Sequence, residues 1–263
     1  MSQDSGVAEF YDDLAGDYHL IFEDWDHAIG LQAEILTKSL HEQGVEPGAR
    51  VLDASCGIGT QALGLAAAGF DVVATDISAA EVHRCAAEAQ RRGLTLTTSI
   101  ADLRTLSTQV SGTFDAVLSL DNALPHLLTD EDMARACQEL RKVAGSTGVL
   151  LASIRDYDAV LLERPTSEAP RRRVEAGGGE AVTFQLWDWV NEDQYRVRHF
   201  TLTRSVTDWR VTERRVLYRA WTRSHLGKLM RRAGFVRVRW LMPRETGYYQ
   251  PILVGTGRTT PAE

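Results

Sequence analysis

The stretch "VLDASCGIGT", residues 51–60, decides how the rest of the chain is read. A short apolar run reaches Asp53, passes Ala54, Ser55 and Cys56, and turns at Gly57 and Gly59 into "QALGLAAAG", which has helical composition. Glycines at such a turn let backbone approach a ligand closely, and the following helix offers unpaired N–H groups at its start. The dinucleotide fingerprint would need a third glycine where Ala62 stands. Asp53 at the strand end would repel a pyrophosphate and suits a ligand bearing an ammonium group. The loop therefore points away from a nicotinamide dinucleotide and toward a nucleotide that carries an amino acid.

Working outward, "FDVVATD" (70–76) is a second β-branched run ending in an acid, followed by the helical "ISAAEVHRCAAEAQRRG" (77–93). Within it Ser78 suits an N-cap and Gly93 a C-terminal stop. "LTLTTSIAD" (94–102) and "FDAVLSLDN" (114–122) read as two more strands, "TDEDMARACQELRKVAG" (129–145) as a capped helix, and "GVLLASI" (148–154) as a fifth strand. Strand alternating with helix at this spacing predicts a doubly wound, mostly parallel α/β sheet, which binds ligands beyond the carboxyl ends of its strands. Asp53, Asp76, Asp102, Asp121, Asn122 and Arg155 all fall on that edge. Asp76 can accept hydrogen bonds from both hydroxyls of a ribose. Asp102 is placed to accept from an adenine amino group, with the backbone N–H of Leu103 beside it.

After residue 158 the pattern changes. "EAPRRRVEAGGGEA" (168–181) reads as a polar loop, and three strand-like runs at 182–190, 194–206 and 209–221, joined by "NED" and "TD", predict an antiparallel meander. A helix, "RSHLGKLMRRAG" (223–234), and two strands, "FVRVRWL" (235–241) and "YQPILVGTG" (249–257), return the chain to the sheet. The meander is thus an insertion, and "RTTPAE" (258–263) a frayed tail.

The 263 residues can bury a full core, and a formal net charge of -7, with arginine pairs scattered along the chain, gives no basic footprint for nucleic acid. No apolar run approaches a membrane span, and "MSQDSGVAEFYDD" has neither the basic nor the apolar region of a signal peptide. The three cysteines, Cys56, Cys85 and Cys137, have no metal-ligand spacing. We expect a cytoplasmic protein with no metal, no nucleic-acid partner and no membrane partner.

Residues 48–155 and 223–257 resemble the class I S-adenosylmethionine (SAM)-dependent methyltransferases. The segments "FYDDLAGDYHLIFEDW" (10–25), "DNALPHL" (121–127) and "SIRDYD" (153–158) are most similar to the glycine and sarcosine N-methyltransferase group. The resemblance implies a seven-stranded Rossmann-like core over 48–158 and 223–257, an N-terminal helical lid over 1–47, and an inserted lobe over 159–222 that forms part of the acceptor pocket or an oligomer contact. It implies SAM as cofactor and S-adenosylhomocysteine as product. Ala54, Cys56, Gly57 and Gly59 would line the methionine part with Asp53 close by as a cofactor-binding acid, Asp76 and Ile77 would bind the ribose, Asp102 and Leu103 the adenine, and the carbonyl of Leu120 the ammonium. Tyr11, Tyr18 and Trp25 would come from the lid, or else simply pack its helices on the sheet. One departure stands out: the group's basic residue for the SAM carboxylate is missing between His27 and Lys38, where Gln32 is the nearest polar candidate.

In the glycine-type enzymes the arginine of "SIRDYD" clamps the acceptor's carboxylate, which would be the role of Arg155, a bidentate fork. The other reading pairs Arg155 with Asp156, Asp158 or an acid of the lobe. His126 and Tyr157 would flank the same pocket, with Trp187 and Tyr249 shaping it. The expected function is methyl transfer to a small-molecule acceptor, at an amine nitrogen of an amino-acid-like compound. C- or O-methylation of an aromatic secondary metabolite, with His126, Tyr18 or Tyr11 as base, is the alternative, and a catalytically silent SAM-binding protein is a third. A homo-oligomer would form through the inserted lobe.

Overall fold

The computed structural model describes residues 3–174, 179–204 and 208–257. The expected tail at 258–263, the glycines of the polar loop at 177 and 178, and most of the turn between the second and third meander strands lie outside the described residues.

Two helices, α1 (Gln3–Leu14) and α2 (Trp25–His41), precede the sheet, linked by a 3-10 turn at Tyr18–Ile21. Then come β1 (Arg50–Asp53), α3 (Thr60–Ala67), β2 (Asp71–Asp76), α4 (Ala79–Arg91), β3 (Thr97–Ile100), β4 (Ala116–Ser119), α5 (Asp130–Val143) and β5 (Val149–Ser153). Helix α6 (Tyr157–Glu163) leads into β6 (Arg171–Val174), β7 (Glu180–Trp189), β8 (Gln194–Arg204) and β9 (Trp209–Arg219). The chain ends through α7 (Arg223–Arg232), β10 (Val236–Leu241), α8 (Pro243–Thr246) and β11 (Ile252–Thr256).

The main sheet has seven strands in the order β10-β11-β5-β4-β1-β2-β3. All pairs are parallel except those made by β11, which runs antiparallel to both β5 and β10. The chain moves outward from β1 to β3, then crosses back to β4, so the order reverses between β1 and β4. A crevice opens outside the carboxyl ends of the strands at such a switch point. The strands there are apolar and fully buried, as a sheet covered on both faces requires: Val51, Leu52, Val117, Leu118, Leu150 and Leu151 are all 0% exposed. Among the described residues no helix is long and apolar enough to cross a membrane.

The insertion forms a separate antiparallel sheet, β6-β7-β8-β9. Its first strand corrects the reading of 168–181 as a polar loop. Arg171, Arg172 and Arg173 pair with Thr183, Val182 and Ala181, and β6 stands at the sheet's edge, where charged side chains are well tolerated. Two of these arginines are more than solvated surface: Arg173 donates to the His19 carbonyl (2.8 Å) and Arg171 to the Ile21 carbonyl (3.2 Å), tying the lobe to the N-terminal segment.

Helix α6, like the short α8, is another element unread in the sequence. Asp156 caps it, accepting from the N–H of Ala159, and then holds Arg223 with Asp158. The two acids of "SIRDYD" therefore fasten the insertion to the helix by which the chain re-enters the core.

Candidate functional site

Two cavities meet above the switch point. The first, about 100 Å³, runs over the Gly57 turn and the ends of β2, β3 and β4. The second, about 630 Å³, lies between the main sheet and the inserted one. Tyr11, Tyr18 and Asp121 line both.

In the first cavity Gly57 adopts φ +52, a left-handed conformation that glycine takes without strain. Its N–H donates to Asp76 Oδ2 (3.0 Å), and the Ser78 N–H donates to Asp76 Oδ1 (3.0 Å). Burial raises the Asp76 carboxyl above its ordinary range, against the opposing pull of the Ser78, Gly57 and Ile77 N–H groups. Each Asp76 oxygen accepts one backbone hydrogen bond and keeps a lone pair, so the carboxylate can still receive two hydroxyls. Ala54, Ile77, Leu103 and Leu120 line the same cleft. Asp102 lines it too, but Arg104 grips its carboxylate (Nη2–Oδ2 2.5 Å), and an adenine amino group would share that oxygen with the guanidinium.

Several expected cofactor residues lie elsewhere. Asp53 is 0% exposed behind the loop, where it accepts a long bond from the Ser55 N–H (3.4 Å) and leaves Oδ2 with no partner. Burial pushes its carboxyl up to about 7. Cys56 is buried, its N–H bonded to the Thr75 carbonyl. Gly59, at φ +97, answers to packing: a Cβ there would stand 2.7 Å from Cys85 Sγ. Trp25 sits among α2, α3 and α4, its indole N–H donating to Thr60 Oγ1 (2.9 Å) and its ring beneath Arg84 and Arg92. Gln32 faces the second cavity, with Oε1 already accepting from Gln61 Nε2 (2.7 Å).

Sequence reasoning passed over Glu81. It lines the first cavity, only 1% exposed, and its Oε1 has no partner. The only signal was its place in the first turn of the helix that follows Asp76. Asp12 was missed as well: Asp12 Oδ1 accepts from Ser78 Oγ (2.6 Å) and from the Ala80 N–H (3.0 Å), and Arg84 donates to the Ala15 and Gly16 carbonyls, so α1 is clasped onto the start of α4.

At the junction Tyr11 donates to His126 Nε2 (2.7 Å), while His126 Nδ1 faces the Leu217 carbonyl (3.3 Å). A carbonyl can only accept, so Nδ1 carries the proton. Burial holds His126 down to about 3, which keeps the ring neutral. Tyr218 completes the group, with its hydroxyl 3.3 Å from that of Tyr11. Tyr18 stands beside them in both linings, where burial raises its phenol well above the ordinary value.

Strand alternation puts Thr183, Gln185 and Trp187 of β7, with Val197 and His199 of β8, on the second cavity. His199 Nε2 is buried with no partner. Arg155 enters the cavity from the end of β5, its side chain 20% exposed, stacked over Trp187 (4.9 Å) and Tyr218 (5.5 Å). Its guanidinium reaches Glu168 (3.2 Å), Gln185 (3.3 Å) and Tyr195 (3.4 Å), so the acid that pairs with it belongs to the lobe. Tyr249 lines the cavity and is 58% exposed. Tyr157 does not line it. Wholly buried, it donates to Asn122 Oδ1 (3.0 Å) and so positions Asn122 from behind.

Residues 51–148 match the family described as a methyltransferase domain. The chain is 31% identical over 156 residues to the glycine/sarcosine N-methyltransferase of Halorhodospira halochloris, covering 59% of this chain and 54% of that one. It is 34% identical over 147 residues to the enzyme of the same name from Aphanothece halophytica, covering 54% of each. The chain thus spans about half the length of the curated relatives it matches. Its fold is similar to that of a sugar N-methyltransferase from Streptoalloteichus, with a TM-score of 0.72 at 21% identity, covering 88% of both chains. Together with the strand order and the crevice above β1 and β4, the match over residues 51–148 identifies a methyltransferase domain with a Rossmann-like sheet within this chain.

Proposed function

We propose that the protein transfers a methyl group from SAM to an amine nitrogen of a small molecule held in the 630 Å³ cavity. The observation that carries this reading is the junction of the two cavities at Tyr11, Tyr18 and Asp121, which gives a ligand in one a route to a ligand in the other. The residues of the first cavity fit the cofactor. Asp76 offers two acceptor oxygens beside a glycine turn, Leu120 and Leu103 flank the cleft, and the unpartnered Glu81 Oε1 awaits a polar group. At about 100 Å³ the cleft is smaller than a typical ligand pocket, so α1 must lift from α4 for a nucleoside to enter.

When bound, SAM supplies a methyl group activated by the sulfonium, and transfer needs the nucleophile in line with the carbon–sulfur bond. The chain's own work is orientation and exclusion of water. Tyr11 commits its proton to His126 Nε2, so Tyr218 is the donor of the bond between the two hydroxyls, and the Tyr11 oxygen keeps one further acceptor position. There it would take an N–H of the amine and turn the nitrogen lone pair toward the cofactor. Tyr18 and α1 cover the reacting atoms. Arg155 would hold an anionic group of an amino-acid-like acceptor, which must displace Glu168 from the guanidinium to do so.

A second reading, methylation at carbon or oxygen of an aromatic acceptor, is favoured by the aromatic lining: Phe184, Trp187, Tyr218 and Tyr249. The test is a screen with methyl-labelled SAM against amino acids, larger amines, and indoles or phenols, with the new methyl located by NMR. Label on nitrogen supports the proposal. Label only on carbon or oxygen replaces it with the second reading, and no transfer to any set defeats both.

A further inference from the structure

The end of β4 takes a backbone conformation uncommon outside glycine. Asp121 (φ +54) and Asn122 (φ +71) are consecutive non-glycine residues in the left-handed region. Such conformations persist where the surroundings impose them, and they gather at ligand sites. Here the surroundings are specific. The Asp121 N–H donates to Ser153 Oγ (2.8 Å), the Asn122 N–H to the Ser153 carbonyl (3.3 Å), and Asn122 Oδ1 receives both the Arg155 N–H and the Tyr157 hydroxyl.

The strained turn turns the Asp121 carboxyl into the seam, where it lines both cavities. Its partners are neutral. Gln61 Nε2 donates to Oδ2 (2.6 Å), and the Tyr248 hydroxyl donates to Oδ1. Burial raises its carboxyl above the ordinary range. A carboxylate with two hydrogen bonds retains free lone pairs and seeks a cation. Among the described residues no arginine, lysine or histidine forms an ion pair with it.

We infer that Asp121 receives an ammonium group at the seam of the two cavities. The inference rests on the function proposed above, which offers two sources of that group: the amino-acid end of SAM and the acceptor amine in its protonated form. That amine must release its proton to the Asp121 carboxylate before its lone pair is free to attack. Gln61 and Tyr248 fix the carboxylate from behind, and Gln32, bonded to both, braces them from α2. This role is separate from those of Tyr11 and His126.

The test compares the wild type with Asp121→Asn, which keeps the shape and tolerates the left-handed backbone. Calorimetry uses SAM and 5′-methylthioadenosine, which lacks the amino-acid end. It then compares benzylamine with benzyl alcohol on protein saturated with S-adenosylhomocysteine. If the ammonium is the cofactor's, the variant loses at least tenfold in SAM affinity and keeps its affinity for methylthioadenosine. If it is the acceptor's, SAM binding holds and the wild type's preference for benzylamine over benzyl alcohol disappears. No change in either comparison, or an equal loss for SAM and methylthioadenosine, overturns the inference. A wild type that binds neither nucleoside overturns instead the proposed function.

Discussion

Asp53→Asn isolates the acid buried behind the glycine turn. The carboxyl is 0% exposed, one oxygen has no partner, and burial, with Asp76 and Asp121 adding to it, moves it from 3.8 to about 7. Because the folded state holds the proton more tightly than the unfolded chain, Asp53 favours folding below pH 4. That contribution is lost as pH climbs from about 4 through about 7, where the folded state must ionise it. At about 1.4 kcal/mol per pKa unit, linkage gives a loss of roughly 2 to 3 kcal/mol between pH 5 and pH 8. Asparagine keeps the acceptor for the Ser55 N–H and cannot ionise, so its cost is a constant offset. Asp76, Asp121 and Glu81 are also raised by burial and slope the same way; they are present in both proteins, so their contributions largely drop out of the difference, apart from the coupling of Asp76 and Asp121 to Asp53 itself. Urea unfolding at pH 5, 6, 7 and 8 should therefore show the variant gaining on the wild type by roughly 2 to 3 kcal/mol across the series. Parallel stability profiles would mean that Asp53 is solvated or paired, and the account of the loop would fail.

Three further outcomes are expected. Asp76→Asn should weaken SAM at least tenfold by calorimetry, about 1.4 kcal/mol, while the melting transition remains cooperative; unchanged affinity removes the ribose assignment. Asp12→Ala deletes two of the four bonds that clasp α1 and the residues after it onto α4, so SAM should dissociate several-fold faster in stopped-flow displacement, and an unaltered off-rate would mean that α1 is not the lid. Arg155→Leu leaves Glu168 without its cation and should cost about 1 to 3 kcal/mol of stability. With a carboxylate-bearing acceptor, which must displace Glu168, it should also raise KM by only a few-fold with SAM affinity intact, whereas a collapse of SAM affinity would make Arg155 a purely structural residue.

Much of the fold was legible because hydrophobic runs and capping residues alternate at a spacing that only a doubly wound sheet satisfies. Ser78 and Thr129 accept from the N–H three residues on, as their positions foretold. Strand β6 was not legible, because three adjacent arginines read as solvated surface when pairing along an edge, which depends on a distant partner strand, is left out. Helix α6 was hidden by the charges of "SIRDYD", which mark a strand exit equally well. Within the site, Asp76 followed from the rule that acids at strand ends face the crevice. The same rule misplaced Asp53: Ala54 and Ser55 continue past the strand's end and form the cleft wall, leaving the acid beneath them. Trp25 stayed open in the sequence for another reason. An aromatic near the lid can serve the ligand or the helices, and only the Thr60 bond and the two arginines over its ring decide for the helices.

The division of labour between the two sheets explains why the cofactor could be read and the acceptor could not. Most groups lining the first cavity sit at a strand end or in the turn after it, where a few sequential residues fix both position and direction, with Glu81 of α4 as an exception. The acceptor cavity is closed by β7 and β8, whose inward faces depend on register across strands, and by Glu168, which meets Arg155 from the loop before β6. That pair bears directly on the choice of acceptor. A carboxylate must compete with a preformed intramolecular partner 3.2 Å from the guanidinium, so it gains only the difference between two similar ion pairs. An uncharged acceptor displaces nothing and keeps the Arg155–Glu168 pair as part of the wall. The cavity, at about 630 Å³, lies within the range of drug-sized ligands. Under the proposed function, size and charge together favour a bulky acceptor without a carboxylate over a small amino acid.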